Sequence, residues 1–204
     1  MIKLAKFYSF FLHPLFMPLI TLLVVLEMDS TIYLDPSLRN FIFLILLINT
    51  LAPGISIWVM YKRGIVSDLE VEKRSERFVP FLLVIFYYLM SYLILRLSDI
   101  GLQVEILSLF SALITTLVFC LIISFFYKIS MHTMAHGALL GVVVALAHLH
   151  EINALFAICL IILSGASMAW ARILLRLHTP AQTLLGWGAG ALVHYCFLMN
   201  NWYF

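Results

Sequence analysis

Seven blocks of apolar residues, most of them close to twenty long, follow one another along this chain with only short polar stretches between them. A helix needs roughly 20 consecutive apolar residues to cross the hydrocarbon core of a bilayer. Inside lipid a helix satisfies its own backbone hydrogen bonds, so blocks of this length read as helices. The alternation of a membrane β-barrel is absent. With 64% hydrophobic and 11% charged residues, the chain departs from an ordinary soluble domain, in which about a quarter of residues are charged.

The blocks cover about 7–26, 40–61, 80–97, 106–127, 137–146, 152–175 and 181–199. The first follows Lys3 and Lys6 but is too long for the core of a signal peptide, and no small-residue cleavage site follows it. It contains Pro14 and Pro18. The expectation is a single all-α domain, residues 1–204, a polytopic membrane bundle of six or seven transmembrane helices. The count depends on whether the first block is a full crossing. Cys120, Cys159 and Cys196 all lie within apolar blocks and read as small buried hydrophobes.

Assigning connections alternately to two sides sorts the charges. One side receives Lys3, Lys6, Lys62, Arg63, Lys73, Arg74, Arg77, Lys128, Arg172 and Arg176. The other receives Arg39 and Arg96 with Glu27, Asp29, Asp35, Asp99, Glu105 and Glu151. The positive-inside rule makes the first side cytoplasmic. Three polar islands also fall on that side: 62–77, 128–136 and 172–182. Lysine and arginine near helix ends often only snorkel to the headgroups. Three islands separated by helical hairpins can nevertheless converge, and they hold His132, His136 and His178 among the cations. Guanidinium and ammonium groups suit phosphate oxygens. Imidazole can serve as nucleophile, base or acid.

The third island reads Ala171-Arg172, then five residues to His178, then Thr179-Pro180-Ala181-Gln182, and continues into Gly186-Trp187-Gly188. The second contains Ile129-Ser130-Met131-His132-Thr133, and in the first Lys73, Arg74 and Arg77 precede Pro80. Over residues 73–190 this pattern resembles the motifs of the type 2 phosphatidic acid phosphatase superfamily, which places the phosphatase-like core at about 62–199. The resemblance implies a membrane hydrolase of lipid phosphates or diphosphates, acting without metal or other cofactor through a phosphohistidine. It implies His178 as nucleophile, Gln182 in the position of the residue that orients it, and His132 as general acid. Lys73, Arg77, Ser130 and Arg172 would bind phosphate. Arg74, Lys128 and His136 would stand behind them.

The pattern also departs from the family. Gln182 stands where the family has aspartate, Ala171 where it has serine, and Met131 where it has glycine. Glutamine can hold an imidazole tautomer but cannot stabilise an imidazolium by charge. Thr179-Pro180-Ala181-Gln182 is also a capping box for the last helix. A second reading therefore stays open, in which an impaired member binds lipid phosphate or serves as a subunit of a membrane assembly. A third has His132 and His136, four residues apart, holding a metal or haem. His13 and His194 read as core residues. His148, His150 and Glu151 fall on the opposite side. Gly137/Gly141 and Gly186/Gly190 read as small-xxx-small pairs for close helix packing. Asp68, Glu70, Glu72 and Glu76 read as a solvated loop with internal ion pairs. The expected partners are a lipid phosphate, membrane lipids and other membrane proteins, with no nucleic acid. The expected location is a bacterial inner membrane.

Overall fold

The structure, a computed structural model, describes residues 1–28, 36–98 and 104–204; Asp29, Asp35 and Asp99 lie outside them. The described residues form an all-helical bundle. Its elements are α1 (Ile2–Phe11), α2 (Met17–Met28), α3 (Pro36–Lys62), a 3-10 turn (Arg74–Glu76), α4 (Phe78–Leu97), α5 (Val104–Ile123), α6 (Met131–Leu149), α7 (Leu155–Leu174) and α8 (Pro180–Met199). Helices α3, α4, α5, α6 and α7 are long and apolar enough to cross a membrane. The 20-residue α8 is equally long. It carries Gln182, three glycines and His194, and it lies below that hydropathy. The chain is a helical membrane bundle.

The first apolar block is two helices. Pro14 lacks an N–H and disfavours helical backbone at His13, so α1 ends before it. The turn that follows is held by the Leu15 N–H donating to His13 Nδ1 at 3.2 Å and by Thr50 Oγ1 donating to the Leu15 carbonyl at 3.3 Å. Tyr8 bonds Ser164 on α7, with hydroxyl oxygens 3.0 Å apart, the next residue Ser9 meets Met168 one turn further along α7, and His13, beyond the end of α1, lines one cavity with Arg172 at the end of α7. Thus α1 runs in the same direction as α7. Helix α2 then returns beside α6, and its Leu22, Val25 and Leu26 join the core with Val142, Ala145, Leu146 and the first turns of α3 and α5. The block enters and leaves at one end of the bundle, with His13 near its tip. This corrects the charge count: Lys3 and Lys6 lie toward the end of the bundle opposite the three islands.

The closest contact is between α6 and α8, which run parallel. A Cβ on Gly137 would lie 1.9 Å from the Trp187 carbonyl oxygen, and one on Gly190 would lie 2.1 Å from that of Met134. A Cβ on Gly141 would lie 2.2 Å from the Ala191 oxygen, and one on Gly186 would lie 2.6 Å from the Ser130 oxygen. Both expected small-residue pairs therefore form one seam, where bare backbone lets the helices approach. Polar bonds close its upper end: Thr133 Oγ1 donates to the Thr183 carbonyl at 2.8 Å, and the Ser130 N–H to the Gln182 carbonyl at 3.3 Å. A second polar lock joins α3 to α4, where buried Asn49 donates to Ser91 Oγ at 2.6 Å.

The seam gives a matched pair of tests. Gly137→Ala should destabilise the protein by about 1–3 kcal/mol or more, since neither backbone can yield easily. A Cβ on Gly188, one residue beyond Trp187, meets nothing within 4 Å. Gly188→Ala should be neutral or stabilising by up to about 1 kcal/mol through helix propensity. Denaturant unfolding in detergent micelles measures both.

Candidate functional site

The parallel register of α6 and α8 sets their N-termini side by side, so His132, on the first turn of α6, and His178, just before α8, open on common space. A cavity of about 150 Å³ lies there. Its polar end is lined by His13, Glu70, Glu72, Arg77, His132, Arg172 and His178. It continues into the bundle between α4, α5 and α6, past Phe81, Val84, Tyr88, Leu109, Leu113 and Leu117. Two helix N-termini supply partial positive charge to the polar end.

His178 is held by Gln182. Its Nδ1 is 3.0 Å from Gln182 Oε1, which also accepts the Thr179 N–H at 3.2 Å, while the Gln182 N–H donates to Thr179 Oγ1 at 3.3 Å. A backbone N–H can only donate, so the atom it faces is the amide oxygen. That oxygen can only accept, so Nδ1 of His178 carries the proton and Nε2 keeps its lone pair. Gln182 therefore does both jobs read from the sequence, capping α8 and fixing the imidazole tautomer. Burial pushes the His178 pKa down to about 4; the Gln182 bond works against that shift, and the Arg172 charge adds to it. The ring is neutral at neutral pH.

Arg172 is 1% exposed. Its Nη1 donates to Glu70 Oε2 at 2.6 Å, and its Nη2 donates to Glu72 Oε1. Lys128 Nζ lies 3.5 Å from the other oxygen of Glu72. Between the two glutamates, Val71 has φ +50°. That is a left-handed conformation that a β-branched residue rarely takes, and it costs on the order of 1–3 kcal/mol. Its carbonyl accepts Arg77 Nε at 3.1 Å, and Arg77 Nη1 donates to the Ile129 carbonyl at 3.3 Å. Arg77 thus ties the loop after α3 to the start of α6. Burial lowers its pKa.

The cavity takes in four of the seven residues assigned to catalysis or phosphate binding: His178, His132, Arg172 and Arg77. Gln182 reaches it through His178. Lys73 and Ser130 are not among the described residues that line it. Lys73 is exposed and pairs with Glu76 at 3.3 Å on the outer face of the loop. Ser130 is fully buried, and its Oγ caps α6 by accepting the Thr133 N–H at 3.4 Å. Neither side chain is placed to hold an anion in the cavity. Arg74 lies in a separate groove with Phe78 and Phe125. His136 turns back on its own helix, its Nδ1 2.8 Å from the His132 carbonyl. Among the described residues no group of three His, Cys, Asp or Glu is placed to hold a metal ion.

Four residues enter that the sequence reading had set aside. His13 stands 5.0 Å from His132, ring centre to ring centre and edge to face. Glu70 and Glu72 belong to the site rather than to a solvated loop. His194 lines the apolar part of the cavity. Only the Pro14 break offered a signal, for His13, because a broken helix brings polar backbone and its neighbours into a bundle's interior.

A pH measurement tests the His178 environment. Between its ordinary 6.5 and about 4, the unfolded chain takes up a proton at this position that the folded chain refuses. Stability is therefore lost as pH falls through that window. His178→Gln should make the stability curve shallower there, with the buried His13, also pushed down to about 4, keeping part of the slope, as read by thermal melts in detergent at fixed salt.

Comparison of the chain with protein-family models, curated proteins and solved structures finds no match.

Proposed function

We propose that this membrane protein binds a lipid phosphate or diphosphate in the cavity and hydrolyses it through a phosphohistidine, in the manner of the type 2 phosphatidic acid phosphatases that it resembles. One observation carries the reading. A neutral imidazole with its Nε2 lone pair available shares a cavity with a second histidine, two buried arginines and an apolar extension into the bundle. The cations suit the phosphate and the extension suits a hydrocarbon chain.

In this reading Nε2 of His178 attacks phosphorus as the bond to the lipid oxygen breaks. Charge develops on phosphoryl oxygens beside Arg172 and Arg77, where fixed cations stabilise it without reorganising. His132 gives a proton to the departing alkoxide. It then takes one from a water that attacks the phosphohistidine, releasing phosphate and freeing His178. The net change is lipid phosphate plus water to lipid alcohol plus phosphate. A bacterial inner membrane fits the reading. The site lies at the end carrying Lys62, Arg63, Arg74 and Arg176, so the positive-inside rule favours the cytoplasmic side even with Lys3 and Lys6 moved away.

Two observations favour the alternative, a member that binds lipid phosphate without turning it over. Gln182 brings no negative charge to His178, and Arg172 is already paired with two carboxylates.

Purified protein assayed with phosphatidate, phosphatidylglycerol phosphate and a polyprenyl diphosphate, in the presence of chelator, decides between them. The expected result is phosphate release that falls about 10³-fold or more in His178→Ala. Saturable binding with no release from any substrate selects the alternative. Release unchanged in His178→Ala overturns the mechanism.

A further inference from the structure

The carboxylates on Arg172 sit where a phosphate's oxygens would sit. One oxygen of Glu70 faces Nη1 and one oxygen of Glu72 faces Nη2, while the second Glu72 oxygen faces Lys128. Two separate anions thus occupy one N–H on each terminal nitrogen, an end-on pair with which a guanidinium can grip a phosphate, while Nε has no partner among the described residues. Arg172 is almost wholly buried, so it cannot turn away to meet a ligand elsewhere. Glu70, in contrast, keeps 38% of its side chain exposed. The chain between the glutamates is held in an unfavourable conformation at Val71, and Gly64 at the start of the loop also has a positive φ, +70°. The glutamates are the partners able to leave.

We propose that Glu70 and Glu72 are specificity-determining residues, an internal anion pair that only a ligand with a terminal phosphate displaces. This rests on the lipid-phosphate reading above and narrows it. The argument is one of charge balance. With both glutamates in place, two negative charges meet Arg172 and Lys128. A terminal phosphate brings close to two negative charges and replaces both carboxylates without leaving a buried cation uncompensated. A phosphodiester brings one. It would displace two charges with a single charge in a setting where unpaired ions are strongly disfavoured. Most headgroups around a membrane protein are phosphodiesters, and they share the oxygens and the hydrocarbon chains of a terminally phosphorylated lipid. A site that recognises phosphate at a bilayer surface therefore needs an element acting against the diester, and the glutamate pair supplies it.

The test compares two short-chain lipids that differ in this respect, dihexanoyl phosphatidate and dihexanoyl phosphatidylglycerol. Binding is titrated by calorimetry to the purified full chain carrying His178→Gln, so that turnover does not consume ligand. The parent should prefer the monoester by roughly tenfold or more. Adding Glu70→Gln and Glu72→Gln, which keep side-chain shape and remove charge, should bring the two lipids to within about threefold, chiefly by tightening the diester. Thermal melts confirm that the variant folds. If the double change does not fold, Glu72→Gln alone, which leaves Glu70 on Nη1, should still narrow the preference. No preference in the parent, or one unchanged by removing the charges, overturns the gate and leaves the lipid-phosphate reading standing. Binding of neither lipid to parent or variant overturns that reading and the gate with it.

Discussion

The approach of α6 to α8 through bare backbone is the constraint on which the rest of this structure depends. Four glycines line the seam, and at each a Cβ would fall within 2.6 Å of a backbone oxygen. Between helices in lipid there is little hydrophobic driving force, so close contact and a few hydrogen bonds must do the work. Here they also do the positioning. With Ser130 bonded to Gln182 and Thr133 to Thr183, the first turns of the two helices lie at one level, and Gln182 holds the His178 ring there beside His132. The site is thus a product of register. The polar bonds at the top of the seam, Thr133 to Thr183 and Ser130 to Gln182, fix that register where it matters most.

Gln182 shows how one side chain can serve folding and chemistry together. Its amide oxygen accepts the Thr179 N–H, which starts α8, and the same oxygen meets His178. Helix initiation and imidazole orientation share an acceptor. In a family of hydrolases that resembles this chain, the position holds aspartate. Replacing carboxylate by amide keeps the geometry and gives up the charge. Negative charge in this cavity therefore sits on the glutamates paired with Arg172 and not beside the histidine.

What could be read from the sequence was what depends on spacing within one element. Block length gave the helices. The intervals Gly137–Gly141 and Gly186–Gly190 gave the seam, and the interval His178–Gln182 gave the capping box and the ring's partner. What could not be read depends on contacts far apart in the chain. Glu70 and Glu72 lie about a hundred positions from Arg172. In sequence they look like any acidic loop paired with its own lysines. Lys73 and Ser130 matched the pattern by position, but one points outward and the other is spent on a helix cap. His13 reads as a core residue because the apolar block around it is continuous in sequence. Pro14 made the difference, by turning one crossing into two helices that enter and leave at the same end.

That first hairpin has a consequence for the order in which the molecule is assembled. A crossing helix can stand alone in lipid, since it has no unmet backbone groups. The tip of α1 and α2 cannot, because the Leu15 carbonyl needs Thr50 of α3 and the His13 ring rests against α6. Partners for the tip exist only after later helices have been made and have come together. The hairpin therefore settles only after helices that follow it in the chain, and the cavity is completed when it docks.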